Sequence, residues 1–225
     1  MFDIAALLEK SMQEHDHLCP RQILGVRIGL AGLNALGLSR PPVKKQLLVI
    51  VETDGCFVDG VIAAIGCTVG HRTLRVEDYG KVAATFVETK TCRAVRVASR
   101  FDAREQATAF VPEEPRHYFA QMKAYRAMPD ERLLTVQEVI LNTTVEQIVS
   151  RPGKRVQCDI CREEIMNERE IFRKGVTLCR ACAGEGYYRS IRGSTRKLNF
   201  PAPLKLEQPV NVQVCATPLV RNGTC

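Results

Sequence analysis

The sequence predicts an α+β protein: a mixed or antiparallel sheet packed with helices, plus a small C-terminal four-cysteine zinc ribbon. Three observations predict it. Helical and β-branched strand patterns both occur within the first 150 residues, a Ser-Arg-Pro-Gly-Lys stretch at 150–154 reads as a linker, and two Cys-x-x-Cys pairs follow it. The expected organisation is an α+β core over 1–150, a zinc-ribbon module over 151–189 and a Pro-rich tail over 190–225.

Phe2–Glu14 carries apolar residues at Phe2, Ala5, Leu8 and Met12, the spacing of a short amphipathic helix. Cys19-Pro20 suits the start of a second helix, with proline at the first helical position, running to about Leu36. Ile23, Val26, Leu30 and Leu33 form its apolar stripe, and Gly25, Gly29 and Gly32 beside that stripe would admit another element at close range. Lys44–Thr53 reads as a strand covered on both faces. Asp54-Gly55 turns the chain into a third helix, Cys56–Ile65, which Gly66 should end. Val82–Glu88 and Arg93–Ser99 read as paired strands, Arg116–Met128 as a helix and Arg132–Leu141 as a return to the sheet.

Size leaves room for one sizeable domain and a small one. A formal charge of +7 permits contact with nucleic acid, but 25 acidic residues lie among the 32 basic ones, so that partner is not favoured. No run approaches the 18 or more apolar residues of a membrane span, and the N-terminus lacks the basic start and long apolar run of a signal peptide. The expectation is a cytoplasmic protein with no membrane partner, in which cysteines serve as metal ligands, reactive thiols or buried hydrophobes.

Cys158-x-x-Cys161 and Cys179-x-x-Cys182 are the strongest signal. Each pair can form a tight knuckle offering two thiolates to one ion, and the stretch between them can hairpin to bring the knuckles together around structural Zn2+. Metal binding would also supply folding energy that so small a module cannot draw from a core. Four cysteines alone leave an iron–sulfur cluster open.

A second cluster, His15-x-His17-x-Cys19, puts three soft or borderline ligands in five residues, and Cys56 joins it from the start of the third helix. Helix N-terminal amides at Cys19 and Cys56 would favour thiolate. These residues would suit a second transition metal, zinc or another borderline ion, or a reactive cysteine beside a histidine base. Cys67 can join only if the third helix stops early or a second chain supplies it. Asp54 and Asp59 flank Cys56, while His71 and Lys81 are alternatives between site and surface; His117 reads as structural.

The same residues carry a resemblance. His15-x-His17-Leu18-Cys19-Pro20, then Leu24-Gly25-Val26-Arg27-x-Gly29, Glu52-Thr53-Asp54-Gly55-Cys56-x-x-Asp59, Gly66-Cys67-Thr68-x-Gly70 and Asp78-Tyr79-Gly80-Lys81, resemble in order the motifs of the FmdE-like family of formylmethanofuran dehydrogenase. The four-cysteine module is similar to the zinc finger that many members append. The resemblance implies an α+β core, a metal or active site around His17, Cys19 and Cys56, homodimers, and a link to molybdenum or tungsten oxidoreductases of anaerobic one-carbon metabolism. Asp16 and Arg21 stand where the family often has glycine. The leading expectation is a metal-binding accessory or redox-linked protein. Its alternatives are an enzyme using a Cys56 or Cys19 thiolate or a metal-bound water, and a zinc-ribbon adapter or nucleic-acid-binding regulator.

Overall fold

The structure, a computed structural model, describes residues 3–13, 17–39, 41–42 and 45–189. The chain separates into two compact units, one ending at Val149 and the next beginning at Ser150. The Pro-rich tail lies outside the described residues.

The first unit is built around one helix. After α1 (Ile4–Ser11), capped by the Asp3 carboxylate accepting from the Ala5 and Ala6 amides, the chain enters α2 (Pro20–Ala35) with Pro20 at its first position. The apolar stripe expected of α2 undercounts what is buried: Gln22, Leu24, Gly25, Arg27 and Ile28 are inside as well as Ile23, Val26 and Leu33. A helix covered on most sides has little amphipathic signal, so the sequence pattern shows only part of its contact surface. Arg27 tolerates burial because its guanidinium donates to the Tyr125 and Met128 carbonyls at 2.7 and 2.6 Å and to Asp130 at 2.6 Å.

Beside α2 lies a five-stranded mixed sheet in the order β2-β1-β3-β4-β5. Its strands are β1 (Leu47–Val51), β2 (Leu74–Val76), β3 (Ala83–Glu88), β4 (Ala94–Ser99) and β5 (Leu134–Val139). β1 pairs in parallel with β2, across α3 (Cys56–Ile65); the other pairings are antiparallel. β1 is covered on both faces. Leu47, Val49 and Val51 join the main core with Phe86, Val97 and the helices, while Leu48 packs with Val87, Ala94 and Val145 in a smaller cluster. Between β4 and β5 the chain makes α4 (Ala103–Phe110), α5 (His117–Ala127) and α6 (Asp130–Leu133), and α7 (Val145–Val149) closes the unit. The sequence reading missed β2, a three-residue strand with no room for alternation, and α4, whose buried residues are only Ala103 and Ala107.

The second unit is two short hairpins and a helical turn. β6 (Arg155–Gln157) pairs with β7 (Glu164–Met166), β8 (Ile171–Arg173) with β9 (Val176–Leu178), and Ala181–Glu185 forms the turn. Among its described residues the buried hydrophobic side chains are Cys158, Ile165 and Leu178, too few to hold the module by apolar burial alone.

Candidate functional site

Two junctions bring Cys19 and Cys56 together. The first is the turn from β1 into α3. The Glu52 carboxylate accepts both the Nε and an Nη of Arg96, on β4, at 2.5 and 2.7 Å. The Glu52 carbonyl accepts from the Tyr79 and Lys81 amides at 2.9 and 3.1 Å. The 52–59 and 78–81 motifs are thereby one structure. Gly55, at φ 75°, then delivers Cys56 as the first residue of α3. The second junction starts α2. The Cys19 amide donates to Gln22 Oε1 at 2.7 Å, Gln22 Nε2 donates to the Ser11 carbonyl at 2.9 Å, and the Tyr118 hydroxyl donates to the Leu18 carbonyl at 3.1 Å.

The helices then interlock. A Cβ on Gly25 would sit 2.2 Å from the Phe57 carbonyl oxygen and one on Gly29 2.7 Å from the Ala64 Cβ, while one on Gly32 would enter the Phe86 ring at 2.3 Å. With α2 and α3 starting side by side at this separation, the Cys56 thiol comes near enough to the Cys19 thiol to be raised by it.

The electrostatics differ from the sequence expectation. Burial pushes the Cys56 thiol above its ordinary value, with the Cys19 thiol and the Asp59 carboxylate adding to the rise. The lowering by its own backbone amide at the helix start is outweighed. Cys56 is therefore a protonated thiol at neutral pH unless another charge takes its proton.

Among the described residues, no other candidate joins this pair in a metal-sized group. His17 is exposed, and His15 lies outside the described residues. Cys67 sits beyond the far end of α3, about 15 Å along the helix axis from Cys56, and its thiol donates to the Leu47 carbonyl at 3.6 Å. Within one chain it cannot share an ion with Cys56, because Gly66 ends the helix only after its full ten residues. Burial raises the Cys67 thiol to about 11. Asp54 and Lys81 are exposed, and His71 makes a local turn with Thr68, Oγ1 to Nδ1 at 2.9 Å. His117 starts α5 against Thr108.

The second unit holds the other sulfur cluster. The Cys158 carbonyl accepts from the Arg162 amide at 3.0 Å, closing the first knuckle, with Arg162 at φ 64°. Asp159 links the hairpins: its amide donates to the Thr177 carbonyl at 2.9 Å and its carboxylate accepts from the Thr177 amide at 2.8 Å. The second pair leads from β9 into the helical turn. The sulfur ligand atoms of Cys158, Cys161, Cys179 and Cys182 all lie within 4.8 Å of one another, the one such group among the described residues. Cys161 and Cys179 sulfurs are 3.8 Å apart. Four sulfurs at about 2.3 Å from a tetrahedral Zn2+ stand about 3.8 Å from each other, so the donor set and its span fit that ion. Backbone amides of Cys161 and Cys179 lower the Cys158 thiol to about 6. Its neighbours' thiols, Cys179 first, push Cys182 up to about 12. Four thiols crowded this closely resist ionising together without a cation among them.

Residues 14–152, more than half of the chain, match the family described as "FmdE, Molybdenum formylmethanofuran dehydrogenase operon". The chain belongs to the FmdE family. A protein of Syntrophus aciditrophicus, described as FmdE-like and named for tungsten formylmethanofuran dehydrogenase, shares its fold. The TM-score is 0.56 at 22% identity, over 84% of this chain and 96% of that one. A relative from Archaeoglobus fulgidus, described as a probable S-adenosyl-L-methionine-binding protein, is 29% identical over 205 residues. That match is 82% of this chain but 54% of the relative, so the FmdE chain spans about half of that protein's length.

Sequence reasoning on this FmdE chain missed the residues that hold the site rather than form it. Arg96, Gln22 and Tyr118 make its supporting bonds. Glu52 offered the one usable signal, an acid at the end of an apolar strand that requires a cation if buried.

Proposed function

We propose that this FmdE-family chain is a metal-binding accessory or redox-linked protein serving a molybdenum or tungsten oxidoreductase of one-carbon metabolism. In this reading the second unit carries structural Zn2+ on Cys158, Cys161, Cys179 and Cys182. The first unit holds a transition metal, zinc or a similar borderline ion, on Cys19 and Cys56, with His17 and His15 as the nearby imidazoles in sequence. The observation that carries the core site is the meeting of the Cys19 and Cys56 thiols at two adjoining helix starts. A metal ion bound there would supply charge to draw off the thiol protons and an open position for a ligand. The chain's own part is to hold the two sulfurs side by side, through the Gly25 contact and the Gln22 and Tyr118 bonds.

The raised Cys56 thiol counts against a free thiolate nucleophile as the first role. Nucleic-acid binding by the second unit is disfavoured by pairing of its cations: Arg151 with Glu168, Arg155 with Glu164, and Arg173 and Arg180 with Glu185. A homodimer suits the exposed Val136 and Ile140 near the β5 edge.

Metal analysis tests the reading. The wild type should hold two ions per chain, Cys158→Ser/Cys161→Ser one, and Cys19→Ser/Cys56→Ser one. A Cys19→Ser/Cys56→Ser protein with wild-type metal content removes the core site. His17→Ala then reports whether that imidazole is a ligand.

A further inference from the structure

A cleft of about 490 Å³ opens in the first unit beside the start of α2. Its lining includes Pro20, the residue after Cys19, together with Leu24, Val82 and Ala103. Three arginines, Arg21, Arg100 and Arg104, bound the same space, and Glu105 is the one acid among its lining residues. Arg100 is held by Asp102 at 3.1 Å. The Arg21 and Arg104 guanidiniums have no ion-pair or hydrogen-bond partner among the described residues. At the rim, the Phe101 ring is fully exposed.

This combination is unusual for solvated surface. Several arginines elsewhere in the first unit pair with carboxylates: Arg27 with Asp130, Arg96 with Glu52 and Arg116 with Glu114. Around the cleft, two are left over where the walls are concave and partly apolar. Low-dielectric walls concentrate the field of such charges, and a planar guanidinium binds a carboxylate or phosphate through paired N–H donors. The volume suits a small molecule. An exposed aromatic ring at the rim adds a face for an apolar or planar body.

We infer that this cleft binds a small molecule carrying a phosphate or carboxylate group on an apolar body, its anion held between Arg21 and Arg104 and its body against Phe101. The inference goes beyond the metal-binding reading and does not depend on it, since the cleft is formed by residues other than Cys19 and Cys56.

The test is calorimetric titration of the full chain with phenyl phosphate and with benzoate at low salt, which gives the two anions a common ring. Binding of either in the millimolar range or tighter is expected, and the stronger of the two identifies the head group. Arg21→Gln/Arg104→Gln should weaken it at least tenfold, and Phe101→Ala should weaken it several-fold; all three side chains stand at the cleft without packing roles that would unfold the unit. Arg155→Gln/Arg162→Gln, which removes the same charge from the second unit, should leave it unchanged. Absence of binding by the wild type to both anions overturns the inference. So does equal loss in the Arg155→Gln/Arg162→Gln control, which would mean non-specific attraction to a basic protein. Metal content measured on the same samples keeps the outcome separate from the fate of the Cys19–Cys56 reading.

Discussion

Gly60 of α3 meets Gln22 of α2 so closely that a Cβ on Gly60 would stand 2.1 Å from the Gln22 carbonyl oxygen. Gly25 makes the reciprocal approach to α3. The same Gln22 side chain caps the Cys19 amide, so the crossing point of the helices and the start of α2 are fixed by one residue. Helix separation at this crossing sets the separation of the two thiols.

Gly60→Ala should therefore destabilise the first unit, although alanine is the better helix former by about 1 kcal/mol. The obstructing atom is backbone and cannot rotate away, so the helices must part; overpacking of this kind costs about 1–3 kcal/mol or more. A net loss of about 2 kcal/mol in urea unfolding, with faster alkylation of Cys19, is the expected result. Gly70→Ala, where a Cβ meets nothing within 4 Å, is the control and should change stability by less than about 0.5 kcal/mol.

Glu52→Gln should act at a distance from both thiols. It keeps the shape of the side chain but removes the charge that receives the two Arg96 donors. Glu52 is largely buried and Arg96 about a quarter exposed, so the loss falls toward the lower end of the few kcal/mol typical of breaking buried pairs, about 2 kcal/mol. Because the Glu52 carbonyl also anchors the Tyr79 and Lys81 amides, hydrogen exchange at those two amides should quicken. Unchanged exchange would mean that the carboxylate does not hold the turn.

How much of this was legible beforehand depends on how local each feature is. α3 carries its own start and stop, Gly55 and Gly66, and its bounds agree with the sequence reading at Cys56 and Ile65. The four-cysteine cluster was legible because its geometry is carried by two short knuckles. Cys19 and Cys56 were legible as residue types, yet their meeting depends on Gly25 and Gly60 interlocking across two separate helices, which no local pattern encodes. The expected thiolate failed for a related reason: the helix N-terminus is local, whereas the burial that outweighs it comes from packing. The cleft with Arg21 and Arg104 was not legible as a pair, since α4 itself was missed.

Metal removal should divide the protein. Among the described residues of the second unit few apolar side chains are buried, while the first unit has a large core of its own. A strong chelator should make residues 150–189 sensitive to limited proteolysis and leave a resistant fragment ending near Val149. Cys158→Ser/Cys161→Ser should give the same fragment without chelator. Loss of the first unit in Cys158→Ser/Cys161→Ser without chelator would show that the units do not fold independently.

Cys67 should give the fold an alkaline weakness. Its thiol titrates ordinarily near 9.0 and is raised by burial to about 11. Between those values the folded chain keeps a proton that the unfolded chain has lost, so stability falls as pH rises through that window and is unaffected below it. Two pH units correspond to about 2–3 kcal/mol. Other groups titrate there as well, and Cys67→Ala isolates this one: it should be less stable than the wild type at about pH 7, through the small cavity it leaves, and lose less stability on going to about pH 11. Urea unfolding at the two pH values measures both differences. Parallel losses in the two proteins would mean that the Cys67 sulfur is reached by water when the fold is intact.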